Sequence, residues 1–424
     1  MYKLACASFA LLLSLLLLGN ASAGSNGDAP QEGQDWIITQ DTHVWDDDVN
    51  VKDIFVSIGK TLKLENVSLN SVGSIQMHGE TEWLNSSIYH DKRDVEDNIS
   101  LYSKLEIINT VLLMNATDTY YGDNANVFYI SKEAELVIRD YDNNESTNND
   151  RSVIKGINYH VLGFEERNNH SVVIGHCVKA QCPGNELDPD LWGTESGIRI
   201  SNSYFENIFA LRAYGINASI QNTHFNNSGF VGMAGNTSLF DNNLVTNSWN
   251  YWELISTGTG IKISNNTFLN GSVGVHVFSS ENSIIENNYF SNYTAPAWSN
   301  SVALKTIDSH NLTISKNYFR NISNHAFELA NTNDTEFSLN TFKNTGILAH
   351  TGFVSSGFRN DINNNTFMNT RNESTPWYVS GILFLRYDNV NYRGGEHNVA
   401  DNFFYDYASA IRFTSFQNLS LIHI

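Results

Sequence analysis

The stretch Asn265-Asn266-Thr267-Phe268-Leu269-Asn270 (NNTFLN), with Asn287 to Asn292 (NNYFSN) after it, decides the fold of this chain. The pattern N-x-F-x-N recurs nine times with small variations, and one copy has valine in the phenylalanine position. The residues in that position are Phe205, Phe225, Val245, Phe268, Phe290, Phe319, Phe342, Phe367 and Phe404. They are separated by 20, 20, 23, 22, 29, 23, 25 and 37 residues. This spacing indicates a repeated unit of about 22 residues with insertions.

Apolar residues alternate with polar ones inside each unit, as in Ile261-Lys262-Ile263. A period of two predicts strands, and we find no helical period after the first 23 residues. A short-strand repeat is typical of a solenoid whose turns stack about 4.8 Å apart. The repeated Phe would then stack inside the coil, and the repeated Asn amide would donate to the carbonyl of the next turn. A sandwich or propeller with coincidental matches is the alternative.

These repeats resemble the right-handed parallel β-helix of the pectin-lyase-like superfamily, especially the Asn-rich versions of exported bacterial and archaeal proteins. The resemblance covers about Gly197 to Phe416 and implies an all-β fold, a right-handed single-stranded parallel β-helix solenoid. Residues 36–196 are predicted to form earlier coils with inserted loops, because four upstream segments alternate in the same way: Val49 to Leu69, Gly73 to Ile88, Leu101 to Met114 and Val127 to Ile138. Residues 197–424 carry the Asn/Phe repeat. They end in mid-coil, so we expect a C-terminal truncation.

The first 23 residues have the features of a signal peptide. Lys3 precedes the apolar run Leu4 to Leu18, and Ala21-Ser22-Ala23 is a small-residue cleavage site. An uncleaved anchor is the alternative, but about 15 apolar residues are short for a membrane span. We therefore predict cleavage near Ala23, a flexible leader over residues 24–35, and a secreted or cell-surface protein with no transmembrane span in the mature chain.

Composition narrows the possible partners. The formal charge of -20 opposes binding to nucleic acid, and 41% hydrophobic residues argue against a disordered chain. The 57 Asn residues include 18 N-x-S/T sequons in the mature chain, which favours a glycosylated or glycosylation-tolerant surface. Two of these sequons, Asn265 and Asn364, lie inside the repeat and are candidates for burial instead.

The two cysteines of the mature chain, Cys177 and Cys182, predict a short-loop disulfide in an oxidising compartment. Two free buried thiols are the alternative. An acidic loop follows, and its oxygen ligands suit Ca²⁺, although the sequence favours a solvated acidic loop without a metal. The candidate metal ligands are Glu186, Asp188 and Asp190. No other cofactor is predicted.

One set of charged residues falls at a common strand position when the coils are aligned. The set contains Arg212, Glu253, His276, Lys305, Glu328 and Arg412. Since their neighbours are apolar and would point inward, these side chains are expected to point outward on successive turns. Glu253, His276, Lys305 and Glu328 are the candidate catalytic residues for acid–base work on a glycan. A solvated charge ladder is the alternative. Candidate ligand-binding residues are Arg212, Tyr214, Trp252 and Arg412.

Fold alone does not determine activity. The residue pattern expected of a polygalacturonase is not matched, since Asn331-Thr332-Asn333-Asp334 and Gly175-His176-Cys177 only approximate its segments and stand in the wrong order. The sequence therefore predicts a carbohydrate-binding or structural surface module, with a glycan or cell-surface polymer as partner. The alternative is a carbohydrate-active enzyme, a polysaccharide lyase or glycoside hydrolase, that uses the outward column.

Overall fold

Three long parallel sheets make up the molecule. A computed structural model describes residues 23–92, 97–116, 126–141, 151–157, 172–176, 196–248, 253–271, 273–293, 302–323, 325–346, 351–370, 380–385, 397–407 and 409–414. Within these ranges, all of the assigned secondary-structure elements are β-strands. The chain passes from sheet 1 to sheet 2 to sheet 3 and then returns to sheet 1 on the next turn, so it winds as a solenoid.

The strands of each sheet are short and follow one another in chain order. Sheet 1 contains Trp36–Ile38, Ile54–Val56, Ile75–Met77, Ile99–Leu101, Asn126–Ile130, Val172–Gly175, Ala210–Tyr214, Phe230–Ala234, Leu254–Thr259, Val275–Glu281, Val302–Ile307, His325–Ala330, Thr351–Ser356, Ser380–Leu385 and Ser409–Thr414. Sheet 2 contains Gly24–Asn26, Thr42–Trp45, Thr61–Glu65, Glu80–Leu84, Lys104–Ile108, Glu135–Arg139, Ile198–Ser201, Ser219–Gln221, Leu239–Asp241, Lys262–Ser264, Ile284–Glu286, Thr313–Ser315, Glu336–Ser338, Asp361–Asn363 and Asn398–Ala400. Sheet 3 contains Asp48–Val51, Ser68–Ser71, Ser87–Lys92, Val111–Ala116, Val153–Ile157, Tyr204–Glu206, His224–Asn226, Leu244–Thr246, Thr267–Leu269, Tyr289–Tyr293, Tyr318–Ile322, Thr341–Thr345, Thr366–Met368 and Phe403–Tyr405.

The predicted parallel β-helix is confirmed, and the upstream segments join it as earlier coils. The segment expected to be a flexible leader differs from the prediction. Its strand Gly24–Asn26 pairs antiparallel with Thr42–Trp45 at the edge of sheet 2, and the Trp36 indole N–H donates to the Asp28 carbonyl oxygen at 2.7 Å. This antiparallel strand covers an edge that would otherwise be open to pairing with another chain.

The repeated phenylalanines stack inside the coil as predicted. Phe268 and Phe290 have ring centroids 4.9 Å apart, Phe290 and Phe319 are separated by 5.0 Å, and all three side chains are fully buried. The coil that carries Val245 lacks a ring in this position. Phe240 of the neighbouring sheet 2 strand fills the space, because its ring lies 6.3 Å from that of Phe268 and is fully buried. The core therefore keeps its aromatic volume at the one repeat that departs from the pattern.

A buried ladder of asparagines pins the corner between sheets 2 and 3. Asn288 is representative: its amide donates to the Ile263 carbonyl at 3.0 Å, and its Oδ1 accepts the backbone N–H of Asn266 at 3.0 Å. Both contacts reach the preceding turn, and the same amide also donates to Asn317 Oδ1 of the next turn at 2.9 Å. The predicted ladder is therefore present, but its donation to a backbone carbonyl is directed to the preceding turn. The members are Asn243, Asn266, Asn288, Asn317, Asn340, Asn365 and Asn402.

The residue before each buried Asn adopts the left-handed backbone conformation. Asn265 has φ 57° and Asn364 has φ 54°, a region that Asn adopts more readily than most side chains. Both side chains are exposed, so the expectation that these two sequons are buried is wrong. It is the following residue of each, Asn266 or Asn365, that is buried.

Candidate functional site

The outer column of sheet 1 is defined by the strand register. Pairing runs through ten residues in order: Gly175, Arg212, Gly232, Ile255, His276, Lys305, Glu328, Val354, Leu383 and Arg412. The alignment made from sequence is therefore confirmed for His276, Lys305 and Glu328, which occupy three consecutive strands. Their apolar neighbours Val275, Leu304 and Phe327 are fully buried in the core.

The register corrects the position of Glu253. Leu254 pairs with Val275 and takes the inward position, so Ile255 stands beside His276 in the column. Glu253 lies one residue before the strand, at the corner where the chain enters sheet 1. The sequence misled the alignment because Leu254 and Ile255 are consecutive apolar residues, so that either register places an apolar residue inward.

Two arginines of the predicted set are in the column but distant from its centre. Gly232 and Ile255 separate Arg212 from His276, and Val354 and Leu383 separate Glu328 from Arg412. The guanidinium of Arg212 instead lies over the Phe230 ring, 5.8 Å from its centroid. Neither arginine is in register contact with the three central residues.

The three central residues are mostly withdrawn from solvent. His276 is 8% exposed and Glu328 is 5% exposed, and the Lys305 ammonium lies 3.1 Å from Glu328 Oε2. Burial, with a smaller contribution from the Lys305 charge, lowers the pKa of His276 to about 3. His276 is therefore neutral at pH 7, next to a charged pair.

A second polar group lies at the corner that leads into sheet 1. The Tyr293 hydroxyl donates to Glu253 Oε2, and both side chains are buried. Among the described residues, Glu253 Oε1 has no hydrogen-bond partner. Burial raises the pKa of Glu253 to about 8, although the Tyr293 hydrogen bond opposes this shift. The carboxyl is accordingly neutral at pH 7, as expected of an acid held in a low-dielectric site.

Gly271 makes this arrangement possible. It lies on the turn between Glu253 and Tyr293, and a Cβ there would collide with Glu253 Oε1 and lie 2.8 Å from the Tyr293 ring. Gly271 and Tyr293 are not among the site residues predicted from the sequence. A usable signal was present, because the position after the last Asn of the repeat holds Ile208, Ser228 and Ser248 in earlier coils and Gly only here.

Tyr214, which the sequence suggested as a ligand-binding residue, is buried and does not face solvent. Its side chain is 5% exposed, its ring stacks on His176 at 6.5 Å, and its backbone N–H donates to His176 Nδ1 at 3.2 Å. A sugar could not reach this ring face without displacement of its neighbours. The aromatic residue thus belongs to the packing of the wall.

Several predicted residues lie outside the described residues. They are Trp252, the cysteines Cys177 and Cys182, and the candidate calcium ligands Glu186, Asp188 and Asp190. Within the described ranges, no group of three or more His, Cys, Asp or Glu side chains is placed to hold a metal ion. In that same part of the chain, we find no helix with the length and hydrophobicity needed to cross a bilayer.

A match to a known protein family supports the fold. Residues 229–390 match the family described as right handed beta helix region, and no curated protein sequence matches the chain. Three solved structures are similar over most of this chain. They are the A-module of a mannuronan C-5 epimerase from Azotobacter vinelandii (10% identity, 90% of this chain and 89% of that one, TM-score 0.46), tailspike protein 3 of bacteriophage CBA120 (8%, 85% and 56%, 0.44), and the catalytic unit of a GH87 alpha-1,3-glucanase from Streptomyces thermodiastaticus (12%, 94% and 67%, 0.38). At such identities a likeness concerns fold and not activity. The chain is a right-handed parallel β-helix, the fold of the pectin-lyase-like superfamily that its repeats resemble.

Proposed function

We propose that the protein is a secreted or cell-surface module that binds carbohydrate on the outer face of sheet 1. The observation that supports this most is the low exposure of His276 and Glu328. A solvated charge ladder would leave these side chains in water. Withdrawing polar and charged groups from water costs free energy, and such groups are more frequent at binding and catalytic sites than elsewhere.

The chemistry of the column suits a sugar polymer. An imidazole, an ammonium and a carboxylate follow one another at about 4.8 Å per strand, and together they can donate to and accept from hydroxyl groups.

The competing explanation is that Lys305 and Glu328 form a structural ion pair. We would measure binding of neutral oligosaccharides by calorimetry for the wild type and for Glu328→Gln. Loss of a charged hydrogen-bonding group should weaken binding about tenfold or more. The matched control is Glu286→Gln, which removes the carboxylate from the Lys262–Glu286 pair at 3.3 Å on sheet 2. Unchanged affinity for Glu328→Gln, or no binding by the wild type, would refute the proposed site.

A carbohydrate-active enzyme is the second candidate, favoured by the neutral carboxyl of Glu253. A general acid must hold its proton at the working pH, as a pKa of about 8 allows. However, Glu253 and Glu328 are three strands apart, or about 14 Å along the axis. Paired carboxyls of glycosidases are separated by roughly 5 to 9.5 Å, so these two cannot act as one pair.

His276 is also poorly suited to catalysis. A base with a pKa of about 3 is far from the value near the working pH that makes proton transfer efficient. Binding without turnover is therefore the better-supported function. Incubation of glycans with the purified protein, followed by analysis of reducing ends and of new unsaturated sugars, would separate the two candidates.

A further inference from the structure

The outer face of sheet 3 contains a region without acidic side chains. On five consecutive strands, from Thr267–Leu269 to Thr366–Met368, the outward positions hold hydroxyl, apolar and cationic residues and no carboxylate. We call these ten residues the sheet 3 patch: Thr267, Leu269, Tyr289, Ser291, Tyr318, Arg320, Thr341, Lys343, Thr366 and Met368. Arg320 and Lys343 are the only charged residues among these ten, so the patch is locally positive in a chain with a formal charge of -20.

Two cations of the patch are neighbours. Arg320 and Lys343 are directly paired in the register of adjacent strands, where like charges repel and destabilise the sheet. Elsewhere on the same sheet the equivalent neighbours are opposite in charge, since Lys155 pairs with Glu206 and their side chains are 2.8 Å apart. Within the described residues, neither Arg320 nor Lys343 has a carboxylate within ion-pair distance. Among the residues that the structure describes, the repulsion between them is therefore uncompensated.

Hydroxyl groups and flat rings stand beside these cations. Tyr318 is paired with Thr341 on the next strand and with Tyr289 on the previous one. The two tyrosine rings stack at 5.5 Å with an interplanar angle of 15°, which fixes their positions. Their hydroxyl groups, and that of Thr341, can each donate and accept one or more hydrogen bonds.

We propose that the sheet 3 patch is a second binding site, for a sugar that bears an anionic group, either a carboxylate or a sulfate. The anion lies between Arg320 and Lys343 and removes their repulsion, and the sugar hydroxyls bond to Tyr318 and Thr341. A nucleic acid fits less well, because a charge every ~1.7 Å would be repelled by the rest of this acidic chain. An acidic sugar carries its charges further apart. This site is on a different face from the outer column of sheet 1.

The test uses three oligosaccharides of equal length: a uronic acid oligomer, a sulfated oligomer and a neutral one. We expect the wild type to bind at least one acidic oligomer through the patch, more weakly at high salt. Arg320→Gln and Lys343→Gln should each weaken that binding about two- to fivefold, and the double variant about tenfold. The comparison between the uronic and sulfated oligomers then assigns the anionic group.

The control variant is Lys132→Gln, which removes the same charge from an exposed turn. It should leave the affinity and the melting temperature unchanged, whereas Arg320→Gln and Lys343→Gln should each melt at or slightly above the temperature of the wild type because they relieve the repulsion. An equal loss in Lys132→Gln, equal binding of the neutral oligomer to the patch, or no acidic binding at all would overturn the proposal. So would a dimer that dissociates in the double variant, because the patch would then bind a second copy.

The binding site on sheet 1 and the sheet 3 patch can be tested independently of each other. Glu328→Gln should leave the affinity for the acidic oligomer unchanged, whereas the double variant should leave neutral glycan binding unchanged. Loss of acidic binding in Glu328→Gln would place both ligands at sheet 1 and refute the second site.

Discussion

Replacement of Glu253 by glutamine should make the protein more stable at alkaline pH. In the folded chain burial raises the pKa of this carboxyl from its ordinary value of 4.5 to about 8. Between these two values the unfolded chain releases the proton and the folded chain keeps it, so the contribution of this carboxyl to stability falls as pH rises. The slope is about 1.4 kcal/mol per pH unit. The full loss between pH 4.5 and 8 is of the order of 5 kcal/mol.

Glutamine has the same shape, cannot ionise and can still accept the Tyr293 hydrogen bond. Urea unfolding followed by far-UV circular dichroism at pH 5, 6, 7 and 8 would give the free energy of unfolding for both proteins. We expect the two curves to be close at pH 5 and to diverge by several kcal/mol at pH 8. Glu281→Gln, at an exposed position, is the control and should follow the wild type. Parallel curves for wild type and Glu253→Gln would refute the assignment of a buried neutral acid.

Four further outcomes can be checked by the same unfolding measurements. Phe290→Asp should unfold the coil, since an unpaired buried carboxylate costs several kcal/mol, and an unchanged far-UV spectrum would contradict the register. Asn288→Ala removes bonds to two neighbouring turns and should cost about 2 to 3 kcal/mol, whereas Asn287→Gly, at an exposed left-handed position, should cost under about 1 kcal/mol. Gly271→Ala should cost about 1 to 3 kcal/mol through overlap with Glu253 and Tyr293. Below pH 6.5, the free energy of unfolding should fall as the pH is lowered to about 4. Burial lowers the pKa of His176, His276 and His397 in the folded chain, so the unfolded chain binds more protons in this range.

The repeat made the fold predictable from sequence. Each Phe and each buried Asn occupies the same place on its turn, and a 4.8 Å stack brings identical residues into contact. The Phe290 column and the Asn288 ladder therefore follow from spacing alone. The direction of the amide's donation to a backbone carbonyl does not follow from spacing, because a carbonyl of the preceding or of the following turn satisfies the same spacing.

The candidate site was less predictable for a physical reason. His276 and Glu328 were aligned correctly because each stands between two apolar residues that point inward. Glu253 is followed by two consecutive apolar residues, Leu254 and Ile255, so periodicity could not fix its register. Glu253 and Tyr293 are two turns apart and come into contact across Gly271. The alternation of apolar and polar residues along a strand gives no information about such a contact. Burial of His276 was likewise invisible, since an outward position is not necessarily an exposed one.

The asparagine side chains of the ladder bond to backbone groups of the preceding turn, and this has a consequence for synthesis of the chain. Each new turn supplies the amide that satisfies the corner of the turn made before it: the Asn266 oxygen accepts from Asn243, and the Asn288 oxygen accepts from Asn266. The earlier coils use hydroxyls in the same sense, since the Val67 N–H donates to Ser86 Oγ at 3.1 Å. Folding can thus proceed vectorially from the N-terminus, with each turn closed by its successor. A nascent chain of any length would leave only its newest corner open, so the cost of an incomplete solenoid does not grow as the chain emerges.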